Sequence, residues 1–245
     1  IIEAKKAQIF ESVKKEALGV GILKALHTSG VNKMAFDGMM DTNVYPVINT
    51  TNYMDSHDDV HFKGIWNKSL SDQQGKLYYV ADHQLAISSV IAYPSKVNAM
   101  VKELPWSALG QSYTGTTEAL IFEIAKGSIV NIQAKQAIDN GEALQNSVRM
   151  QYVKMQMGMN SDDPTYAPYK AYFDAHINDI ANKEKVLEQG YFFGVEEAKI
   201  VKEGSLVLFG SNDITPILTA AESTVENKTE VEPSKGTLHA WQLDY

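Results

Sequence analysis

The sequence predicts an α+β fold, either a strand-dominated body with helices inserted between strands or a β-barrel-like strand core surrounded by helices. Three observations carry this. Residues 76–81, 116–124, 144–157 and 191–209 are rich in β-branched and aromatic side chains, as strands are. Residues 129–139 and 164–189 instead read as helices, and each stretch stops at a glycine, Gly141 and Gly190, that can cap its C-terminus. No segment repeats, so the chain is not a solenoid.

Each element follows in order. Residues 2–27 place Ile9, Phe10, Val13, Ala17, Leu18, Ile22 and Leu26 at helical spacing before Ser29-Gly30, which predicts an amphipathic helix over residues 1–30. Residues 31–64 read as short strands and loops, with Val44, Pro46, Val47 and Ile48 the clearest strand, and residues 65–72 as a short helix. The strand at 76–81 runs into Asp82-His83-Gln84, followed by an apolar run over 85–93. Residues 96–104 read as a helix that Pro105 stops. Alternation through Val148, Met150 and Tyr152 makes 144–157 a long strand. A helical insertion at about 162–190 separates it from the strands of 191–209. The main domain is expected over residues 31–218. Beyond it Thr, Glu, Ser, Lys and Pro dominate, which predicts a flexible tail over 219–245.

Composition narrows the function classes. With 245 residues, 44% of them hydrophobic, the chain can bury a substantial core. It contains no cysteine, which excludes a disulfide scaffold, thiol catalysis and cysteine-ligated zinc. No apolar run approaches the ~20 residues of a membrane helix. A formal charge of −8 without a basic stripe argues against direct contact with nucleic acid. No cofactor and no metal is expected.

Among six histidines, His83 stands out because it follows a strand, beside Asp82, where two apolar segments meet. An imidazole there suits a general base near neutral pH, and equally a hydrogen-bonded structural role. Ser147 begins a strand-like run; a serine becomes a nucleophile only beside a base, and the glycine-flanked nucleophile elbow is absent around it. A competing constellation is Asp55, His57, Asp59 and His61, whose residue types suit a divalent metal. As a strand the four would span roughly 20 Å, so at most two could share an ion. The plainer reading is a polar loop capping the following helix.

Four segments, taken in order, resemble one family. Asn52-Tyr53-Met54-Asp55-Ser56-His57-Asp58-Asp59-Val60, with Gly64 and Lys68-Ser69-Leu70, is similar to the opening region of the prohead maturation proteases of tailed bacteriophages. Tyr79-Val80-Ala81-Asp82-His83 resembles the strand ending in their catalytic histidine, and Asn146-Ser147-Val148-Arg149-Met150-Gln151-Tyr152 the strand bearing their serine. Glu203-Gly204-Ser205-Leu206-Val207, with Asn212, resembles the closing signature.

The resemblance implies a fold like that of the herpesvirus assemblins, a β-barrel ringed by helices, and a serine endopeptidase without cofactor. It implies Ser147 as nucleophile and His83 as base. Glu203, placed before a strand, would be the third member; His176, Glu118 and Asp82 are rivals. Implied substrates are the scaffold protein, the scaffolding segment of the major capsid protein and the protease itself, cut within the assembling prohead in the host cytoplasm. A homodimer is compatible. Arg149 departs from the family, which has a small residue two after the serine, and it becomes a candidate for fixing the oxyanion or the substrate. Gly204 stands where the family has valine, and Ser211 where it has alanine. Two alternatives remain: a catalytically silent capsid-assembly protein, and a metal-dependent hydrolase using the Asp55–His61 cluster.

Overall fold

In the computed structural model, which describes residues 36–220, the buried strand β1 (Asn43–Thr50) organises the body. Alternate side chains leave a strand on opposite faces. Val44 and Ile48 accordingly enter one apolar cluster with Phe122 and Tyr79, while Tyr45 and Val47 enter another with Trp106 and Ile214. The elements that follow are β2 (Asp59–His61), α1 (Asn67–Gln73), β3 (Tyr78–Ala81), β4 (Val90–Ala92), β5 (Asn98–Pro105), β6 (Thr116–Ala125) and α2 (Ile132–Asp139). Next come β7 (Gln145–Met159), α3 (Ala167–His176), α4 (Lys183–Gln189), β8 (Tyr191–Val207) and β9 (Ile217–Leu218).

The α+β reading holds. One sheet has the order β5-β6-β1-β9; in the other, β8 is the spine, with β7 antiparallel along one edge and β2 and β3 parallel on the other. The barrel-like closure expected from the sequence is not formed, because the strands stay in two separate sheets. The main core lies between them, where Ile48 and Phe122 of the first sheet meet Tyr79, Val148, Ile200 and Leu206 of the second.

The strand expected at 191–209 is a single long one, β8. The helix expected at 96–104 is instead β5, antiparallel to β6 from Asn98 to Pro105. Lys102 and Glu103 favour a helix, but Ala99 and Leu104 are buried by sheet pairing, and tertiary packing overrides the local preference. The helical insertion is split into α3 and α4, with Tyr172, Phe173, Ile180 and Val186 packed on Phe192, Met54 and Val60 as a third cluster. The expected helix over 1–30 and all but the start of the expected tail over 219–245 lie outside the described residues.

Burial fixes an alkaline limit to stability. Desolvation raises the phenols of Tyr79 and Tyr152 well above their ordinary range; for Tyr152 the negative charge of Asp59 adds to it. In the unfolded chain both ionise near pH ~10, whereas the folded state keeps them neutral. Their contribution to stability is therefore flat below that pH and falls above it, each tyrosine adding a slope of about 1.4 kcal/mol per pH unit. Urea titrations at successive pH values up to 11.5 should show the midpoint dropping above pH ~10; replacing Tyr152 with Phe should remove part of that slope.

Candidate active site

His83 owes its position to the way β3 ends. Asp82 and His83 both adopt left-handed backbone, with φ of 51° and 55°. Such residues cost on the order of 1–3 kcal/mol each and persist only where surroundings hold them. Here the ladder continues through Asp82 N–H to Leu206 O at 2.9 Å, Gln84 N–H closes the turn on Ala81 O at 3.0 Å, and His83 N–H donates to Ser205 Oγ at 2.8 Å. The two left-handed residues fold His83 back over the sheet face that bears Ser205.

Ser147 lies on that same face. In the β7–β8 ladder it stands directly opposite Ser205, and in the β3–β8 ladder Val80 does too, so Ser147, Ser205 and Val80 form one row across three strands. Neighbouring strands are ~4.8 Å apart. Their flanking residues, Val148, Gly204 and Leu206, face the core instead, which leaves the serine on the outer side, half-buried. Among the described residues no hydrogen bond joins Ser147 Oγ to His83.

Glu203 completes the group. It is fully buried, and its Oε1 lies 2.9 Å from His83 Nδ1. A carboxylate in that place favours the tautomer with the proton on Nδ1 and leaves Nε2 as an acceptor. Glu203 sits inside β8 rather than ahead of a strand, at an irregularity: between the pairs Val148–Gly204 and Met150–Ile200, β7 has only Arg149 where β8 has Val201, Lys202 and Glu203. Lys202 takes up the extra length with left-handed backbone, φ 71°. Two surplus residues preserve the alternation of faces, so Glu203 stays on the side of Ser205.

Arg149 is opposite this bulge. Its Nε donates to Glu203 Oε1 at 3.0 Å and its Nη2 to the carbonyl oxygen of His83 at 2.5 Å. The resemblance makes it a candidate for oxyanion or substrate binding, but the structure ties it to Glu203 and His83. Ser205 was quoted in the closing motif without a role, and it is the residue that pins the His83 backbone. Only knowledge of the β3–β8 register could have singled it out.

The three rivals for the third position are engaged elsewhere. His176 closes α3 and packs its ring on Tyr172 and Phe62, with centroids 4.4 and 4.6 Å away. Glu118 lies on β6 in the other sheet and accepts from Gly64 N–H at 2.8 Å. Asp82 is exposed, and its contribution is the turn.

Behind Ser147 a buried polar network fixes the start of β7. Tyr79 Oη donates to Asn146 Oδ1 at 2.6 Å, Asn146 Nδ2 donates to Thr215 O at 2.8 Å, and Thr215 Oγ1 donates to Asn146 O at 2.8 Å. Asn212, the asparagine of the closing motif, continues it by donating to Thr50 Oγ1 at 2.9 Å. These partners come from four segments distant in sequence, so no local pattern could announce them.

The Asp55 cluster is not a strand with alternating ligands. Residues 55–58 form a turn closed by the Met54–Val60 bridge, which brings ligand atoms of Asp55, His57 and Asp59 within 4.8 Å of one another, closer than extended spacing allows. The turn has its own explanation. Asp55 Oδ1 accepts from His57 N–H at 2.8 Å and from Asp59 N–H at 3.0 Å, while Asp59 Oδ2 accepts from Tyr152 Oη at 2.5 Å. Asp55 thus caps its own turn and not the following helix, since α1 has no side-chain cap. His61 points elsewhere, its Nδ1 lying 2.9 Å from Asn49 Nδ2.

Comparison with known proteins adds no neighbour: no family model, no curated protein and no solved structure matches this chain.

Proposed function

We propose that this chain is a serine endopeptidase of the prohead maturation type, with Ser147 as nucleophile, His83 as general base and Glu203 as the acid that orients it. The observation that carries the reading is the 2.9 Å contact between His83 Nδ1 and the buried Glu203 carboxylate, on the sheet face and in the strand neighbourhood of Ser147. The three residues lie in motifs far apart in the sequence, and their convergence on one face supports the assignment. Kinship with the assemblins belongs to the proposal and rests on those motifs, not on barrel closure.

In the reaction His83 Nε2 takes the Ser147 Oγ proton as the oxygen attacks a peptide carbonyl. The imidazolium, held by Glu203, then protonates the departing amine as the C–N bond breaks. Water, deprotonated by the same imidazole, attacks the acyl-enzyme carbonyl, and the imidazolium returns the proton to Ser147 Oγ as the ester C–O bond breaks and the acid product leaves. Positioned proton transfer of this kind is worth ~10²–10⁴-fold. The expected substrates are exposed, extended segments of the scaffold protein, the major capsid protein and the chain itself. The place of action is the assembling capsid.

The test is incubation of wild type and Ser147→Ala with the cognate capsid and scaffold proteins, read by intact mass. A fluorophosphonate probe, mapped by peptide mass, is run in parallel. Cleavage and Ser147 labelling by wild type alone are expected. Equal cleavage by both proteins removes Ser147 from the chemistry. Folded protein that neither cleaves nor labels favours a silent assembly role.

A further inference from the structure

One side chain, Arg149, bonds both Glu203 and His83 from the strand that carries Ser147. We infer that Arg149 is a positioning residue for Glu203 and His83, not a group held ready for the oxyanion. This deepens the proposed function and rests on it.

The guanidinium is a rigid fork, with Nε and one terminal nitrogen on a common edge. Arg149 uses Nε for Glu203 Oε1 at 3.0 Å and Nη2 for the His83 carbonyl at 2.5 Å. The same Glu203 oxygen receives His83 Nδ1 at 2.9 Å, so imidazole and guanidinium are set against one atom. His83 is consequently gripped at three points: its N–H by Ser205, its ring by Glu203 and its carbonyl by Arg149.

The third grip matters because His83 is left-handed, φ 55°, and projects beyond the last residue of β3. Its carbonyl lies past the end of the β3 ladder, and Arg149 donates to it. Arg149 comes two residues after Ser147, so the clamp sets nucleophile, base and acid against a common stretch of β7. A guanidinium moving to an oxyanion would have to abandon both bonds. Lysine would supply charge without the fork and could make only part of the clamp.

The experiment combines two readouts on the full chain. In protein labelled with ¹⁵N-histidine, long-range ¹H–¹⁵N spectra report the His83 tautomer, assigned with His83→Gln. Wild type should show one form, protonated on Nδ1; Arg149→Gln should show a mixture, and Arg149→Lys an intermediate pattern. Fluorophosphonate labelling of Ser147 should slow by about 10- to 100-fold in Arg149→Gln, the scale of a misplacement near 1 Å. Millimolar guanidinium chloride should restore part of that rate, and the melting temperature should move little.

Unchanged tautomer and unchanged labelling in Arg149→Gln overturn the inference. So does slow labelling with an unchanged tautomer and no rescue, which would place Arg149 at the reacting atoms instead. If wild type never labels at Ser147 while the tautomer still depends on Arg149, the positioning role stands and the proposed function falls.

Discussion

Glu203→Gln should lower the rate of Ser147 acylation by about 10³–10⁴-fold while leaving the fold in place. The amide matches the carboxylate in shape, so the cavity around the fully buried side chain is refilled. Its charge is what disappears. With the amide oxygen toward His83 Nδ1, the imidazole keeps its orientation but loses the anion that stabilises its protonated form during the reaction. With the amide nitrogen there, two donors face one another, and the ring is driven to the tautomer that leaves no acceptor for the Ser147 proton. Both arrangements cost rate. The charge of Arg149 is left without its carboxylate, but its side chain is 42% exposed, so water can take over much of the solvation. Stopped-flow labelling with a fluorophosphonate, together with a thermal melt, checks this. A labelling rate within threefold of wild type would remove Glu203 from the chemistry.

Much of this site was legible because its residues sit in segments with strong local signals. Strands β3, β7 and β8 were readable from aromatic and β-branched content, and the ordered motifs placed His83 just beyond a strand and Ser147 on one, but Glu203 ahead of a strand instead of inside β8. What could not be read were the features that depend on pairing. The left-handed turn at Asp82-His83 carries no glycine to announce it, since it is held by Ser205 and Arg149 from other strands. The bulge at Lys202 is a property of the β7–β8 register. Arg149 read as an oxyanion or substrate candidate because its partners, 54 and 66 residues away in sequence, leave no local signal.

The same distinction explains the misread elements. Residues 98–105 form a strand because β6 pairs with them along their whole length, and nothing within the segment encodes that partner. Asp55 to His61 reads as a polar loop capping the following helix, yet Asp55 draws the amides of His57 and Asp59 onto one carboxylate oxygen and so caps its own turn. Barrel closure was expected from strand content, which does not specify how sheet edges meet. Two open sheets satisfy the same alternation with the core between them.

Gly204→Val should destabilise the chain by about 3 kcal/mol. A Cβ at Gly204 would lie 2.8 Å from Phe122 Cε2 and 3.0 Å from both Ile48 Cδ1 and Cγ2, all on the facing sheet. Phe122 and Ile48 are essentially fully buried, so neither can swing out of the way cheaply. The melting temperature should fall by roughly 6–12 °C for a domain of this size. Adding Phe122→Leu should return part of the loss, because it removes the ring edge that the new Cβ would meet, and a double-mutant cycle would show the two positions coupled by about 1 kcal/mol or more. The result also bears on catalysis. A one-residue slip of β8 would turn Gly204 outward and carry Glu203 and Ser205 to the core side, away from Ser147. An uncoupled, well-tolerated valine would therefore mean that the register is different and that the acid and the His83 anchor do not share the serine's face. A coupled, costly valine fixes Gly204 inward and, by alternation, Glu203 and Ser205 outward beside Ser147.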